Sequence, residues 1–398
     1  MTERELFYRY LGLPSFSPVA LDIVRAEGIY LYDRQGNQFI DLVAGISVSN
    51  VGHRHPRVLD AIREQLDRYL HVNVYGEFIQ APQVHLAERL TGLLPGRLDA
   101  VYFVNSGSEA LEGALKLAKR FTGRTEIISF TDSYHGSTHG ALSILGNEPL
   151  RNAFRPLLPD TRLIEFNNYC QLEKISKRTA CVVIEMIQAE AGIIAAEQYF
   201  IHQLKKRCAR DGALIIVDDV QMGMGRTGKM FSFEHYDFVP DILVLAKALG
   251  AGMPLGAFIA GRKMMDTLAF NPELGHITTF GGHPVSCAAA LAGLEVLLSD
   301  QLIGLAEEKG ARFEEKLSSH PALAGIRRKG LALGLDLANP ALRAPFMQAA
   351  LDRGLIIDWY LFKPATFRIA PPLTITTDEI DLACDKLLGS LDSIMATD

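Results

Sequence analysis

The sequence predicts an α/β protein in which a mostly parallel central sheet is flanked by helices and joined to a smaller α+β domain. Three observations carry that expectation. The 398 residues are 48% hydrophobic, more than one ordinary core holds, so two joined domains are expected. Seven short runs, Val101–Val104, Glu126–Phe130, Arg162–Phe166, Cys181–Ile187, Ala213–Asp218, Ile242–Ala246 and Ala257–Ala260, are mostly continuous in apolar character rather than alternating. Continuous runs indicate strands covered on both faces. After Pro284 the rhythm changes to two helical stretches, shorter strands and a terminal helix beyond Thr377.

In chain order, Gly28–Asp41 reads as a hairpin turning at Gln35, Gly36 and Asn37, and it is expected to join the smaller domain. Helical segments such as Glu109–Phe121 and Gln198–Arg210 fall between the strands, which places helices on both faces of the sheet. Pro284–Leu298 and Leu302–Ser319 are the two later helices. The expected division is a large domain over residues 45–285 and a small domain formed by residues 1–44 and 286–398. No internal repeat, low-complexity tract or flexible linker interrupts it.

Charge narrows the partners. A net charge of -6, with acids and bases intermixed, offers no footprint for nucleic acid or an anionic membrane, so small-molecule substrates are expected. The five cysteines are odd in number and scattered, several in apolar runs, and read as buried reduced thiols. The N-terminus carries acids and no apolar leader, and no apolar stretch approaches the ~20 residues that span a bilayer. A cytoplasmic location follows as the expectation.

Four motifs bear on chemistry. In the first, DAVYFVNSG runs into the helical pattern SEALEGALKLAKRF, so Ser106, Gly107 and Ser108 sit where a helix N-terminus can bind an anion. The same residues also suit a plain N-cap, with Ser108 capping and Leu111 starting the apolar face. In the second, Asp218 and Asp219 end an apolar strand at the edge where open sheets bind ligands, or form an acidic loop. Gly223, Gly225 and Gly228 beyond them fit a dinucleotide fingerprint, which requires a helix opening at the glycines. In the third, Lys247 ends another apolar strand and is followed by Gly250, Gly252, Pro254 and Gly256. Such a lysine either loses charge in a dry cleft and becomes a nucleophile, or snorkels to the surface. Last, His53 with His55 and His135 with His139 are spaced like ligand pairs. Neither has the glutamate or third ligand of a zinc signature, so no metal is expected.

Together and in order, these segments resemble the class III aminotransferases that depend on pyridoxal 5'-phosphate (PLP), the fold-type-I group containing ornithine and acetylornithine aminotransferases. The resemblance covers nearly the whole chain, from GIYLYDRQGNQFIDLVAGISVSNVGHRHP to FRIAPPLTIT. It implies PLP as cofactor and a homodimer whose sites are completed across the interface. It implies Ser106, Gly107 and Ser108 at the phosphate, Tyr134 stacked on the ring, and His135 and Glu185 in the cofactor's surroundings. Asp218 would pair with the ring nitrogen, Val220 cover the opposite face, and Gln221 neighbour the phenolic oxygen. Lys247 matches the Schiff-base lysine and Thr279 the hydroxyl that reaches the partner subunit's phosphate. Arg368 would clamp an α-carboxylate, and Glu190 would pair with it when a terminal amine is the donor. The activity implied is transfer of an amino group to 2-oxoglutarate.

The chain departs from the family pattern at Met186, Asp219 and His283, at Ser137, where the ornithine and acetylornithine enzymes carry arginine, and at Ile46, where the ornithine enzymes carry tyrosine. Two other readings accompany this one. One is a PLP enzyme of the same fold that does not transaminate, an epimerase or decarboxylase, and the other is a nicotinamide-dependent oxidoreductase.

Overall fold

The computed structural model describes residues 1–74 and 76–396. Its centre is a seven-stranded sheet in the order Ala100–Val104, Gly256–Ala260, Ile242–Leu245, Leu214–Asp218, Thr179–Ile184, Glu126–Phe130 and Thr161–Ile164. Gly256–Ala260 runs antiparallel to both its neighbours, and the other pairings are parallel. All seven expected runs are strands. Glu126–Phe130 has the expected bounds, four others shift by one residue at one end, and two differ more: the run expected over Cys181–Ile187 starts at Thr179 and leaves the sheet after Ile184, and that expected over Arg162–Phe166 starts at Thr161 and ends at Ile164.

Alternation along each strand feeds two cores. Val183, Ile216, Val244 and Phe258 pack with Ala110, Leu111 and Ala114 of helix Gly107–Thr122, while Val182, Ile215 and Leu243 belong to the larger core with Phe200 and Leu204 of helix Gln198–Asp211. Successive side chains of a strand point to opposite faces, so a sheet between two helix layers needs apolar residues at every position. That is the continuous pattern of the sequence.

The hairpin forms as expected, with Tyr30–Asp33 and Gln38–Asp41 antiparallel. Ile23–Glu27 extends it on one side, and Leu355–Ile356 joins parallel on the other, tying the N-terminal segment to the C-terminal region. A second antiparallel sheet holds Leu323–Lys329, Ala332–Leu337, Lys363–Ile369 and Asp358–Tyr360 in that order. Helix Pro284–Ser299 lies against helices Pro56–Arg68 and Ala81–Gly92, with Arg89 Nε donating to Glu295 Oε1 at 2.6 Å.

Arg226 is wholly buried and stitches three regions together. It donates to the carbonyls of Leu331 (2.9 Å) and Pro371 (2.6 Å) and to Asn50 Oδ1 (2.6 Å). The cysteines are all free, and four are buried, but Cys170 is exposed, contrary to the expectation for all five. It sits in a 3₁₀ turn outside the apolar strands. Among the described residues no single helix is long and apolar enough to cross a membrane.

Candidate active site

The C-terminal ends of the parallel strands converge on one cavity of about 520 Å³, lined among others by residues 105–108 and 134–137 and by Glu185, Asp218, Val220, Gln221 and Lys247. This is the edge where open α/β sheets bind ligands. Helix Gly107–Thr122 begins at its wall. The N-cap is Ser106 rather than the expected Ser108: the Ser106 hydroxyl accepts the Glu109 N–H at 3.2 Å. The unpaired amides and positive dipole end of the first turn therefore stand at the cavity.

Two glycines let this corner close. A Cβ on Gly107 would stand 2.9 Å from Val220 Cγ1, and one on Gly136, whose φ is +122°, would stand 2.1 Å from Ser108 Oγ. On the opposite side the backbone makes a left-handed turn through Ala44, Gly45, Ile46 and Ser47, which brings Val48 to the cavity. Asp41 Oδ1 holds that turn by accepting the N–H groups of Val43 and Ala44 at 2.9 and 2.8 Å.

Asp218 is the last residue of its strand and is buried. Its Oδ2 lies 2.7 Å from His135 Nδ1, and its Oδ1 accepts the Val220 N–H at 3.2 Å. The other ring nitrogen of His135, Nε2, is buried without a hydrogen-bond partner. Asp219 is directed elsewhere: its Oδ2 accepts the Ser232 N–H at 2.8 Å, and burial pushes its carboxyl up to about 7. Of the two adjacent acids, only Asp218 lines the cavity. Glu185, the first residue past its strand, accepts the N–H groups of Tyr134 (2.9 Å) and Ala189 (3.3 Å). Burial, reinforced by Asp218, raises its carboxyl well above the usual range.

Lys247 lines the cavity in a left-handed backbone conformation (φ 50°), and its Nζ donates to Gln221 Oε1 at 2.8 Å. It does not snorkel to the surface. Burial lowers its ammonium to about 8; Glu190 opposes that shift and Arg368 adds to it.

Those two charges form the ion pair expected of them. Arg368, 2% exposed, donates through Nη2 to Glu190 Oε1 at 2.6 Å and through Nη1 to Asp358 Oδ2 at 2.7 Å. Its guanidinium lies 4.6 Å from the centre of the Tyr360 ring, and Tyr360 itself donates to the Leu333 carbonyl at 2.9 Å. Trp359 instead meets Arg343, 5.1 Å from its ring. Asp358 was not singled out from the sequence. The signal that finds it is the hairpin register, which pairs Asp358 directly with Arg368.

The remaining expected residues are also placed. Thr279 lies in an exposed segment outside the residues lining the cavity. Ser137 Oγ is 3.3 Å from the Tyr134 hydroxyl. His53 Nε2 is 2.8 Å from Asp41 Oδ2, a structural use of that histidine. No helix opens at Gly223, Gly225 and Gly228; turns lead instead to a short 3₁₀ helix, Ser232–His235. The dinucleotide fingerprint is therefore accidental.

The donor set fits PLP. Helix N-terminal amides and hydroxyls suit a phosphate, a buried acid suits a protonated ring nitrogen, Val220 closes one wall, and a lysine of lowered pKa suits an aldehyde.

Comparison with known proteins agrees. The family model described as aminotransferase class-III matches residues 14–391. Acetylornithine aminotransferase of Methanopyrus kandleri is 39% identical over 98% of this chain and 99% of its own length. That of Archaeoglobus fulgidus is 37% identical over 95% of this chain and 97% of its own. The structure of ornithine aminotransferase from Toxoplasma gondii, which holds PLP at partial occupancy, superposes with a TM-score of 0.91 at 28% identity, covering 99% of this chain and 94% of that one. The chain belongs to the class III aminotransferases, enzymes that use pyridoxal 5'-phosphate to transfer amino groups.

Proposed function

We propose that the protein moves an amino group from a donor of the ornithine, acetylornithine or ω-amino acid type to 2-oxoglutarate. The observation that carries this reading is the buried Arg368–Glu190 pair, whose charges act on Lys247. Closed on Glu190, Arg368 is neutralised and favours a donor presenting a terminal amine; opened, it offers a fork for the α-carboxylate of glutamate or 2-oxoglutarate. The two acetylornithine aminotransferases support the donor class.

When bound, PLP supplies an aldehyde that takes up the amino group and a ring that draws electrons from the carbon losing its proton. The chain supplies the rest. Ser106, Gly107 and Ser108 would hold the phosphate, and Tyr134 and Val220 the two faces of the ring. Asp218, oriented by His135, would keep the ring nitrogen protonated, with Gln221 at the phenolic oxygen and Glu185 bracing the Tyr134 loop. Lys247 would hold the cofactor through its amine and, once released, take the proton from the donor's amine-bearing carbon.

A homodimer belongs to this reading, with Thr279 reaching the phosphate of the second subunit. Ile277 and Phe280 beside Thr279, and Leu70 next to His71, whose ring lies 5.0 Å from that of Phe280, are exposed and support a covered face. The cytoplasmic location and the division into residues 45–285 against 1–44 and 286–398 belong to the same reading.

The test is a visible spectrum of the purified protein with borohydride reduction, followed by a donor panel of ornithine, acetylornithine, diamines and ω-amino acids. The expected result is a borohydride-sensitive absorbance that a terminal-amine donor bleaches and 2-oxoglutarate restores. Failure of 2-oxoglutarate to restore it would overturn the acceptor, and bleaching by none of the panel would overturn the donor class.

A further inference from the structure

Two carboxylates, not one, hold Arg368, and they are held unequally. Glu190 has a second anchor: its Oε2 accepts the Leu361 N–H at 3.0 Å, and its own carbonyl accepts the Phe362 N–H at 3.1 Å, so the tip of the Asp358–Ile369 hairpin grips it. Asp358 has only the guanidinium. Its Oδ2 is 2.7 Å from Arg368 Nη1, while its Oδ1 is buried without a hydrogen-bond partner, as is Arg368 Nε.

The charge count is unfavourable to a substrate carboxylate. Glu190 and Asp358 bring two negative charges to one guanidinium, so an arriving α-carboxylate would be a third anion at the same fork. One of the resident acids must let go or become neutral. A carboxylate with several donors keeps its charge more readily than one with a single donor and a bare oxygen. Asp358 is the weaker-held of the two.

We propose that Asp358 is a specificity-determining positioning residue: it holds Arg368 closed together with Glu190, and its release or protonation admits an α-carboxylate to the guanidinium. This rests on the reading of Arg368 as the carboxylate anchor. Burial raises the Asp358 carboxyl to about 6 even beside Arg368, so it takes up a proton just below neutrality. The charged and titratable groups acting on it are Arg368 on the paired strand, Glu190, Asp41 on the N-terminal sheet, whose own partner is His53, Lys247 in the cavity, and Tyr360 on its own strand. With a raised pKa, the acid is ionised above that range and neutral below it. Carboxylate binding at Arg368 therefore strengthens as pH falls through about 6.

The test uses binding rather than turnover. 2-Oxoglutarate, whose carboxyls stay ionised in this window, is titrated calorimetrically into the holoenzyme in the form that has no amino group to give, at several pH values between about 5.5 and 8. Wild type should bind tighter toward the acid end. Asp358→Asn, neutral at every pH and still able to accept from Nη1, should bind on the order of tenfold tighter than wild type near pH 8 and lose the acid-side gain. Asp358→Glu should restore the pH dependence, which a merely structural role would not predict. If Asp358→Asn binds like wild type with an unchanged pH profile, while Arg368→Ala abolishes binding, this proposal is overturned and the anchor reading stands. If Arg368→Ala binds as well as wild type, the anchor reading itself has failed.

Discussion

His135 Nδ1 stands 2.7 Å from Asp218 Oδ2, with both side chains buried at the end of the central strand. A buried acid held by one imidazole and one backbone amide is fixed in direction as well as in charge. Asp218→Asn should keep the fold and lose one to several factors of ten in rate, each tenfold being about 1.4 kcal/mol in the barrier. His135→Ala should cost less, because it frees the acid without removing it. Steady-state kinetics of both variants check this, and activity of Asp218→Asn within about twofold of wild type would transfer the role to another acid lining the cavity, Glu185.

For Lys247, burial sets the pH at which the amine becomes a nucleophile. With its ammonium lowered to about 8, the rate of cofactor attachment to the apoprotein should rise about tenfold between about pH 7 and 9 and then level off. The sign for stability is the same: the unfolded chain binds the extra proton between about 8 and the ordinary lysine range, so the apoprotein gains stability with pH across that window. Lys247→Ala should show no borohydride-reducible linkage. An adduct mapped to a different lysine after reduction would refute the assignment.

Arg368 and Glu190 should behave differently when removed. Arg368→Ala should weaken the 2-oxoglutarate half-reaction by tenfold to more than a hundredfold, on the order of the 1.5–3 kcal/mol of a charge-assisted pair, and spare a terminal-amine donor. Glu190→Ala should hold or improve reaction with α-carboxylates and lower discrimination for the terminal amine. Single-turnover kinetics of both halves decide it, since equal losses in the two halves would leave the pair a structural salt bridge.

Gly136 occupies a backbone region closed to other residues and lies against Ser108. Gly136→Ala must shift the Tyr134–Ser137 loop or the helix N-terminus, at a cost of about 1–3 kcal/mol. The expected result is a lower melting temperature and weaker PLP affinity, measured by thermal unfolding and cofactor titration. Unchanged affinity would show that the loop adapts without disturbing the phosphate position.

The local pattern of the sequence determined a good deal here. Seven apolar runs marked seven strands because a doubly covered strand must be apolar on both faces, and that requirement is written residue by residue. Lys247 and Asp218 were legible for the same reason: a polar residue ending such a run must sit at the sheet's edge. Tertiary structure alone decided what those residues meet. Asp358 reaches Arg368 only through the register of a hairpin, His135 reaches Asp218 across 83 positions, and Arg226 finds carbonyls 105 and 145 positions away. Ser106 displaced Ser108 as the cap because the helix begins two residues earlier than its apolar face suggests. Periodicity records which face of an element is buried but not which element covers it. The partners of every buried charge in this site were therefore set by sheet order and strand register.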